Sequence, residues 1–150
     1  MRTTPKGHRL TWQRMETLAA MNDETPTLRA YVLEDDPDIA ALEADLLREM
    51  GFVVVTCTRI VELGDLMEVA LPHLLVVDVM LPDGDGGDIT ELLRTAWPGI
   101  PAIIVSAASR ERLAELASIG PVVAKPFDLE AFRVAVDEAL GSGQELSSAS

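Results

Sequence analysis

Three acidic positions, one hydroxyl and one ammonium stand out because each sits where an apolar run stops. The run from Leu28 ends in Glu34-Asp35-Asp36, the run from Leu74 in Asp78, the run from Ala102 in Ser106, and the run from Pro121 in Lys125. If these runs are parallel strands of one sheet, their ends share the edge at which open α/β sheets hold ligands. Three carboxylates gathered there repel one another unless a cation stands among them, and all-oxygen donors favour Mg2+ or a similar hard ion. A hydroxyl and an ammonium nearby suit a tetrahedral anion such as a phosphoryl group. A carboxylate is a competent nucleophile toward phosphorus, giving an aspartyl-phosphate.

The elements that must position these groups follow from the hydrophobic pattern. Leu28 to Leu33, Phe52 to Thr56, Leu74 to Val77, Ala102 to Val105 and Pro121 to Ala124 read as strands, short apolar or β-branched runs between turn formers. Asp36-Pro37 opens a first helix with an N-cap and a proline at the first helical position; Ile39, Leu42, Leu46 and Met50 mark its apolar face and Gly51 its stop. Ile60, Leu63, Met67 and Ala70 mark a second helix, weakened by Gly64, and Ile89, Leu92, Leu93 and Ala96 a third, closed by Pro98-Gly99. Ser109 caps a short fourth helix with Leu113 and Leu116. Asp128 caps a last one carrying Ala131, Phe132, Val134, Ala135, Val136 and Leu140, with Gly141 after it. This alternation predicts right-handed crossovers and an α/β fold, a doubly wound five-stranded parallel sheet with five helices. The expected organisation is an extension over 1–27, either a short amphipathic helix around Trp12, Met15, Leu18 and Ala19 or disordered chain. One domain over 28–141 and a flexible Ser/Gly-rich tail over 142–150 follow it.

The 150 residues are 48% hydrophobic, enough for one packed core. A net charge of −13 argues against nucleic acid or an anionic membrane as a direct ligand. The acid is concentrated: Met1 to Thr27 carries four Lys/Arg and three Asp/Glu, the remainder eight and twenty-two. Such a body invites cations, either a metal or a basic partner. Cys57 is the only cysteine, which excludes an intrachain disulfide or a multi-cysteine metal site; it reads as a small buried hydrophobe. No apolar stretch approaches the roughly 18–20 residues of a bilayer span and no secretory signal is visible, so the expected location is cytoplasmic.

Each residue also has a plain structural reading. Asp78 would serve as a strand-end turn residue, but Asp83, Asp85 and Asp88 follow closely enough to take that part. Asp36 is accounted for as a helix cap, whereas Glu34 and Asp35 precede the cap and need another reason. Ser106 as a satisfied hydroxyl and Lys125 as a surface charge carry weight only through their joint placement. His8 and His73 have no second ligand at a metal spacing and read as surface residues, Trp12 and Trp97 as packing. Asp83-Gly84-Asp85-Gly86-Gly87-Asp88 is not a calcium loop, which wants Gly sixth and Glu twelfth where Asp88 and Arg94 stand. Nor does its glycine spacing fit a dinucleotide loop. It reads as a flexible loop beside the site.

Val32-Leu33-Glu34-Asp35-Asp36-Pro37-Asp38, Val77-Asp78-Val79-Met80-Leu81-Pro82 with Asp85-Gly86, Val105-Ser106-Ala107 and Lys125-Pro126-Phe127 resemble the receiver domain of bacterial two-component response regulators. The resemblance covers Leu28 to about Leu140 and implies a receiver-type, flavodoxin-like fold. It implies a phosphoacceptor rather than an enzyme, with Asp78 taking a phosphoryl group from a sensor histidine kinase or a histidine phosphotransfer protein. Carried over residue by residue, Asp35 would ligate Mg2+ directly, Glu34 through water, Met80 through its backbone carbonyl and Asp78 through its carboxylate. Ser106 would bond a phosphoryl oxygen and move inward on activation, Ala107 would offer a backbone N–H, and Lys125 would pair with the phosphoryl group, its bond to Pro126 cis. With no output domain after Leu140, the expectation is a stand-alone receiver. It would signal by protein–protein contact through the fourth helix, fifth strand and fifth helix, or by phosphorelay, with no nucleic-acid or membrane partner.

One departure stands out. The family usually has Tyr or Phe three residues before the lysine, where this chain has Val122. Coupling to the output face must then run through the Ser106 loop and the fourth helix, or be weaker. Two other readings remain. A receiver-like interaction module acting without phosphorylation is favoured by Val122 and disfavoured by the intact Asp35, Asp78, Ser106 and Lys125. A phosphatase of the haloacid-dehalogenase type would need a second Asp two residues beyond Asp78, where Met80 stands.

Overall fold

The computed structural model describes residues 27–149, with side-chain surroundings through residue 141; the expected extension, His8 and Trp12 lie outside them. The sheet is built on β3 (Leu74–Asp78), whose five residues are all buried. An unbroken apolar run suits a central strand covered on both faces. β1 (Leu28–Leu33) and β4 (Ala102–Ser106) flank it, with β2 (Phe52–Cys57) and β5 (Val122–Ala124) at the edges, in the order β2-β1-β3-β4-β5 and all parallel. The helices are α1 (Pro37–Glu49), α2 (Ile60–Val69), α3 (Gly86–Ala96), α4 (Arg110–Leu116) and α5 (Leu129–Ala149). This is the doubly wound α/β fold that the strand–helix alternation predicts.

Two cores form, one on each face of the sheet. Leu46 and Leu47 of α1 and Phe132, Ala135 and Val136 of α5 pack on Ala30, Val32, Leu74, Val76, Ile103 and Val105. Leu63 and Met67 of α2 and Leu116 of α4 pack on Tyr31, Leu33, Leu75, Val77 and Ile104, with Leu93 and Trp97 at the margin. Each large apolar side chain so buried contributes about 1.5–3 kcal/mol.

The helix starts follow the capping residues. Asp36 accepts from Asp38 N and Ile39 N at 2.9 and 3.2 Å, Ser109 from Arg112 N at 3.2 Å, and Asp128 from Ala131 N at 2.6 Å. Gly51 stops α1 with φ of 101°, a conformation that favours glycine. The faces differ from the pattern in three helices. On α1 the buried residues are Ala40, Glu43, Ala44, Leu46 and Leu47, while Leu42 is 40% exposed, because small alanines let that flank approach the sheet. On α3 Leu92 is exposed and the buried side is Gly86, Gly87 and Thr90, whose hydroxyl is satisfied by Gly86 O at 2.6 Å. On α5 Ala131 and Val134 are exposed and Ala139 is buried. α5 also runs past Gly141 to Ala149. A helical glycine costs only about 1 kcal/mol relative to alanine, too little to end a helix anchored by Phe132, Ala135 and Val136.

Two loop expectations change. The stretch after β3 is an ordered hairpin, Met80–Leu81 against Gly84–Asp85, leading straight into α3. Asp83 in its turn accepts from Ile60 N at 2.9 Å and Val61 N at 3.3 Å, capping α2, and Asp85 accepts from Asp88 N at 3.0 Å, capping α3. His73 is half-buried, not a surface residue: its Nδ1 accepts from Arg29 N at 2.9 Å and its own N–H donates to Arg29 O at 2.7 Å, pinning the start of β3 to β1.

Candidate functional site

Strand register brings the predicted groups together. Leu33 lies beside Val77, so the next pair along is Glu34 and Asp78. Asp78 lies beside Val105, one residue before Ser106, and Ser106 beside Ala124, one residue before Lys125. The strand order reverses between β1 and β3, which is where a doubly wound sheet opens its crevice.

Lys125 is the hub. Its Nζ donates to Glu34 Oε1 at 2.7 Å and to Asp78 Oδ2 at 3.2 Å, across side chains 13%, 1% and 5% exposed. The other oxygen of each carboxylate is held by backbone: Glu34 Oε2 accepts from Asp36 N and Asp78 Oδ1 from Met80 N, both at 3.2 Å. Burial pushes the Glu34 carboxyl above its ordinary range, against the bonds from Lys125 and Asp36. Burial works to lower the Lys125 ammonium, but the bond to Glu34 and the field of Asp78 outweigh it and hold the lysine above its usual value as a firm cation. Asp35 is exposed, and one oxygen from each of Glu34, Asp35 and Asp78 lies within 4.8 Å of the others. That spacing and donor set fit a small hard cation with room for water.

Ser106 is fully buried; its Oγ accepts from Ala108 N at 3.2 Å and its carbonyl from Lys125 N at 2.9 Å. The Lys125–Pro126 bond is cis. Met80 turns an exposed side chain outward. Val122 is half-buried against the core on the α2–α4 face. Each group that the strand ends single out therefore lies at one edge.

Three features escape the sequence pattern. Gly86 passes so close to β3 that a Cβ there would run into the carbonyl oxygen of Asp78, and its N–H donates to Val79 O at 2.8 Å. Arg112 on α4 bonds Asp85 at 2.9 Å, Asp88 at 3.2 Å and Glu115 at 3.2 Å, tying α4 to the start of α3. Glu43 on α1 is 1% exposed, neither of its oxygens meets a donor among the described residues, and burial, then the neighbouring Glu34, pushes its carboxyl up to about 8.

The response regulator receiver domain family model matches residues 30–137. The chain belongs to the response regulator receiver domain family. Receiver domains are signalling modules of two-component systems rather than classical enzymes, and they bind Mg2+ at an acidic pocket; Glu34, Asp35 and Asp78 form such a cluster here. Among curated proteins, the chain is 36% identical over 126 residues to an uncharacterized 14.6 kDa protein in the sodA1 3' region of Leptolyngbya boryana, covering 80% of this chain and 91% of that one. It is 33% identical over 102 residues to the probable transcriptional regulatory protein TcrX of Mycobacterium tuberculosis, covering 66% of this chain but only 44% of TcrX. Among solved structures, a CheY-like receiver domain protein from Methanospirillum hungatei superposes with a TM-score of 0.72 at 23% identity, covering 80% of this chain and 98% of that one. The beryllofluoride-activated NtrC4 receiver domain superposes at 0.71 with 23% identity, over 77% and 98%. Among the described residues no helix is long and apolar enough to cross a membrane.

Proposed function

We propose that Asp78 is the phosphoacceptor of this receiver domain and takes its phosphoryl group from a sensor histidine kinase or a histidine phosphotransfer protein. The observation that carries this is the Lys125 ammonium bonded to both Glu34 and Asp78 at the mouth of a three-carboxylate cluster. In transfer, an Asp78 oxygen bonds to phosphorus as the P–N bond to the donor imidazole breaks; the departing nitrogen keeps the bonding pair. The Met80 N–H fixes one Asp78 oxygen and so aims the carboxylate. Lys125 leaves Asp78 for the incoming phosphoryl oxygens, and the Ser106 hydroxyl turns from Ala108 N toward the same group.

Glu34, Asp35, the Asp78 carboxylate and the Met80 carbonyl are the groups that would hold Mg2+. When bound, the ion neutralises charge on the transferring oxygens. The change at Asp78 biases a pre-existing equilibrium of the α4–β5–α5 face, which contacts a downstream protein or passes the phosphoryl group on in a relay, in the cytoplasm.

Incubating the protein with Mg2+ and phosphoramidate, followed by intact-mass measurement, tests this. The wild type gains one phosphoryl group and Asp78→Asn gains none; an unmodified wild type, or an equal adduct on the variant, overturns the reading. The phosphorylation-independent module is the second reading, favoured by Val122 in the aromatic's place. It predicts equal partner affinity for wild type and Asp78→Ala with and without phosphodonor.

A further inference from the structure

The network around Arg112 on α4 lies outside the phosphoacceptor chemistry, yet few links separate the two. Asp78 Oδ1 accepts from Met80 N at 3.2 Å. Met80 is the ladder partner of Asp85 across the hairpin that follows β3. Asp85 caps α3 through Asp88 N and also accepts from Arg112 Nη2 at 2.9 Å. The same nitrogen donates to Asp88 at 3.2 Å, and Nη1 donates to Glu115 at 3.2 Å. An isolated surface pair contributes little, because ordering two side chains offsets the attraction. Here Asp85 is already ordered by its cap and its hairpin, and the arginine side chain is only 30% exposed. The two helices also meet closely: a Cβ on Gly87 would run into Leu116 of α4 and come within 3.2 Å of Arg112 Nη2. The start of α4 is tied separately. Ser109 caps it through Arg112 N, three residues after Ser106, whose Oγ accepts from Ala108 N.

We propose that Arg112 is a positioning residue that couples α4 to Asp78 through Asp85. α4 rests on two supports, the Ser106 loop at its start and the Asp85 carboxylate at Arg112, and the Asp78 site touches both. A phosphoryl group on Asp78 draws the Ser106 hydroxyl from Ala108 N and disturbs the carboxylate oxygen held by Met80 N, so the two supports shift against each other. A helix fastened at both follows that shift; one fastened only at its N-cap turns about it. Val122 of β5, with no polar side-chain atom, supplies no hydrogen-bonded link of this kind. Coupling between two sites is reciprocal, so loosening α4 is felt at Asp78 in the resting protein. The tie itself stands on the resting geometry; its use in signalling rests on Asp78 being the phosphoacceptor.

The test compares the full chain as wild type, Arg112→Gln and Arg112→Lys by backbone amide NMR and hydrogen exchange, first without Mg2+ or phosphodonor. In Arg112→Gln the α4 amides exchange several-fold faster. The amide signals of Asp78 and Met80 shift, while those of α1 and β2 stay in place. Arg112→Lys keeps the charge without the planar fork and falls between the two. With Mg2+ and phosphoramidate added, phosphorylation changes α4 exchange several-fold more in wild type than in Arg112→Gln. Unchanged α4 exchange in Arg112→Gln overturns the proposal, as does faster exchange spread evenly over the chain, the mark of general destabilisation. Faster α4 exchange with the Asp78 and Met80 signals unmoved overturns it too and makes Arg112 a local brace of α4. So does an equal response of α4 to phosphorylation in wild type and Arg112→Gln. The resting comparison needs no phosphoryl group, so its failure leaves the Asp78 chemistry standing. A wild type that takes no phosphoryl group refutes that chemistry instead, and the resting comparison still decides the tie.

Discussion

Lys125 lies closer to Glu34 than to Asp78, 2.7 Å against 3.2 Å. The resting ammonium is thus held chiefly by Glu34, not by Asp78, the proposed phosphoacceptor. It neutralises the crevice while leaving Asp78 on the longer, weaker bond. Glu34 in turn owes its place in the fold to Lys125, since a carboxylate 1% exposed needs a cation beside it.

Lys125→Ala leaves Glu34 and Asp78 facing each other without a counter-charge. Unfolding by urea in the absence of divalent ions shows a loss of about 3 kcal/mol, the scale for breaking a buried pair from one side. Millimolar Mg2+ restores part of that loss by taking the ammonium's electrostatic role. An alanine variant as stable as wild type without Mg2+ contradicts this account of the cluster.

Two glycines in helices behave oppositely. Gly86→Ala drives a methyl group into the Asp78 carbonyl and Val77 Cγ1, and costs about 1–3 kcal/mol with reduced phosphorylation. Gly64→Ala meets nothing within 4 Å and stabilises α2 by about 0.5–1 kcal/mol. Thermal unfolding of both variants checks the contrast.

The Glu43 carboxyl, raised from 4.5 to about 8 by burial, binds its proton more tightly folded than unfolded. Its contribution is therefore favourable below about 4.5 and is lost as pH climbs toward about 8. The stability advantage of Glu43→Leu over wild type should be smallest in acid and grow across that window. Denaturation curves over the range, without divalent ions, test it; a constant difference removes Glu43 as the source.

Cys57 is 6% exposed, and burial, helped by Glu62 and Asp83, pushes its thiol up to about 12. The nucleophilic thiolate is thus scarce and shielded at neutral pH. Ellman's reagent should react slowly with the native protein and at once in denaturant; rapid native labelling contradicts the packing of β2.

The gathering of the strand-end groups was readable because in a parallel sheet the end of each apolar run and the edge of the fold coincide. Glu34, Asp78, Ser106 and Lys125 follow from that alone. Asp36, Ser109 and Asp128 were readable because a cap acts within a few residues of itself. Glu43 was not: it lies four residues after Ile39 and three before Leu46, on the flank of the same face, but its carboxyl reads as a solvent-side residue until α1 is packed on the sheet. Leu92 and Val134 went astray because bulk nominates a core face, while the space beneath the helix decides it. The Arg112 tie to Asp85 and Asp88 joins helices distant in sequence, and no local spacing announces it.

Asp78, among all the carboxylates crowded at this edge, is the proposed carrier of the phosphoryl group. Borohydride reduces an acyl phosphate to an alcohol, so the phosphorylated protein can be trapped, digested and sequenced by mass spectrometry. Homoserine is expected at position 78, dependent on Mg2+ and phosphodonor. Reduction at Asp35, Glu34 or another carboxyl, with position 78 intact, contradicts it.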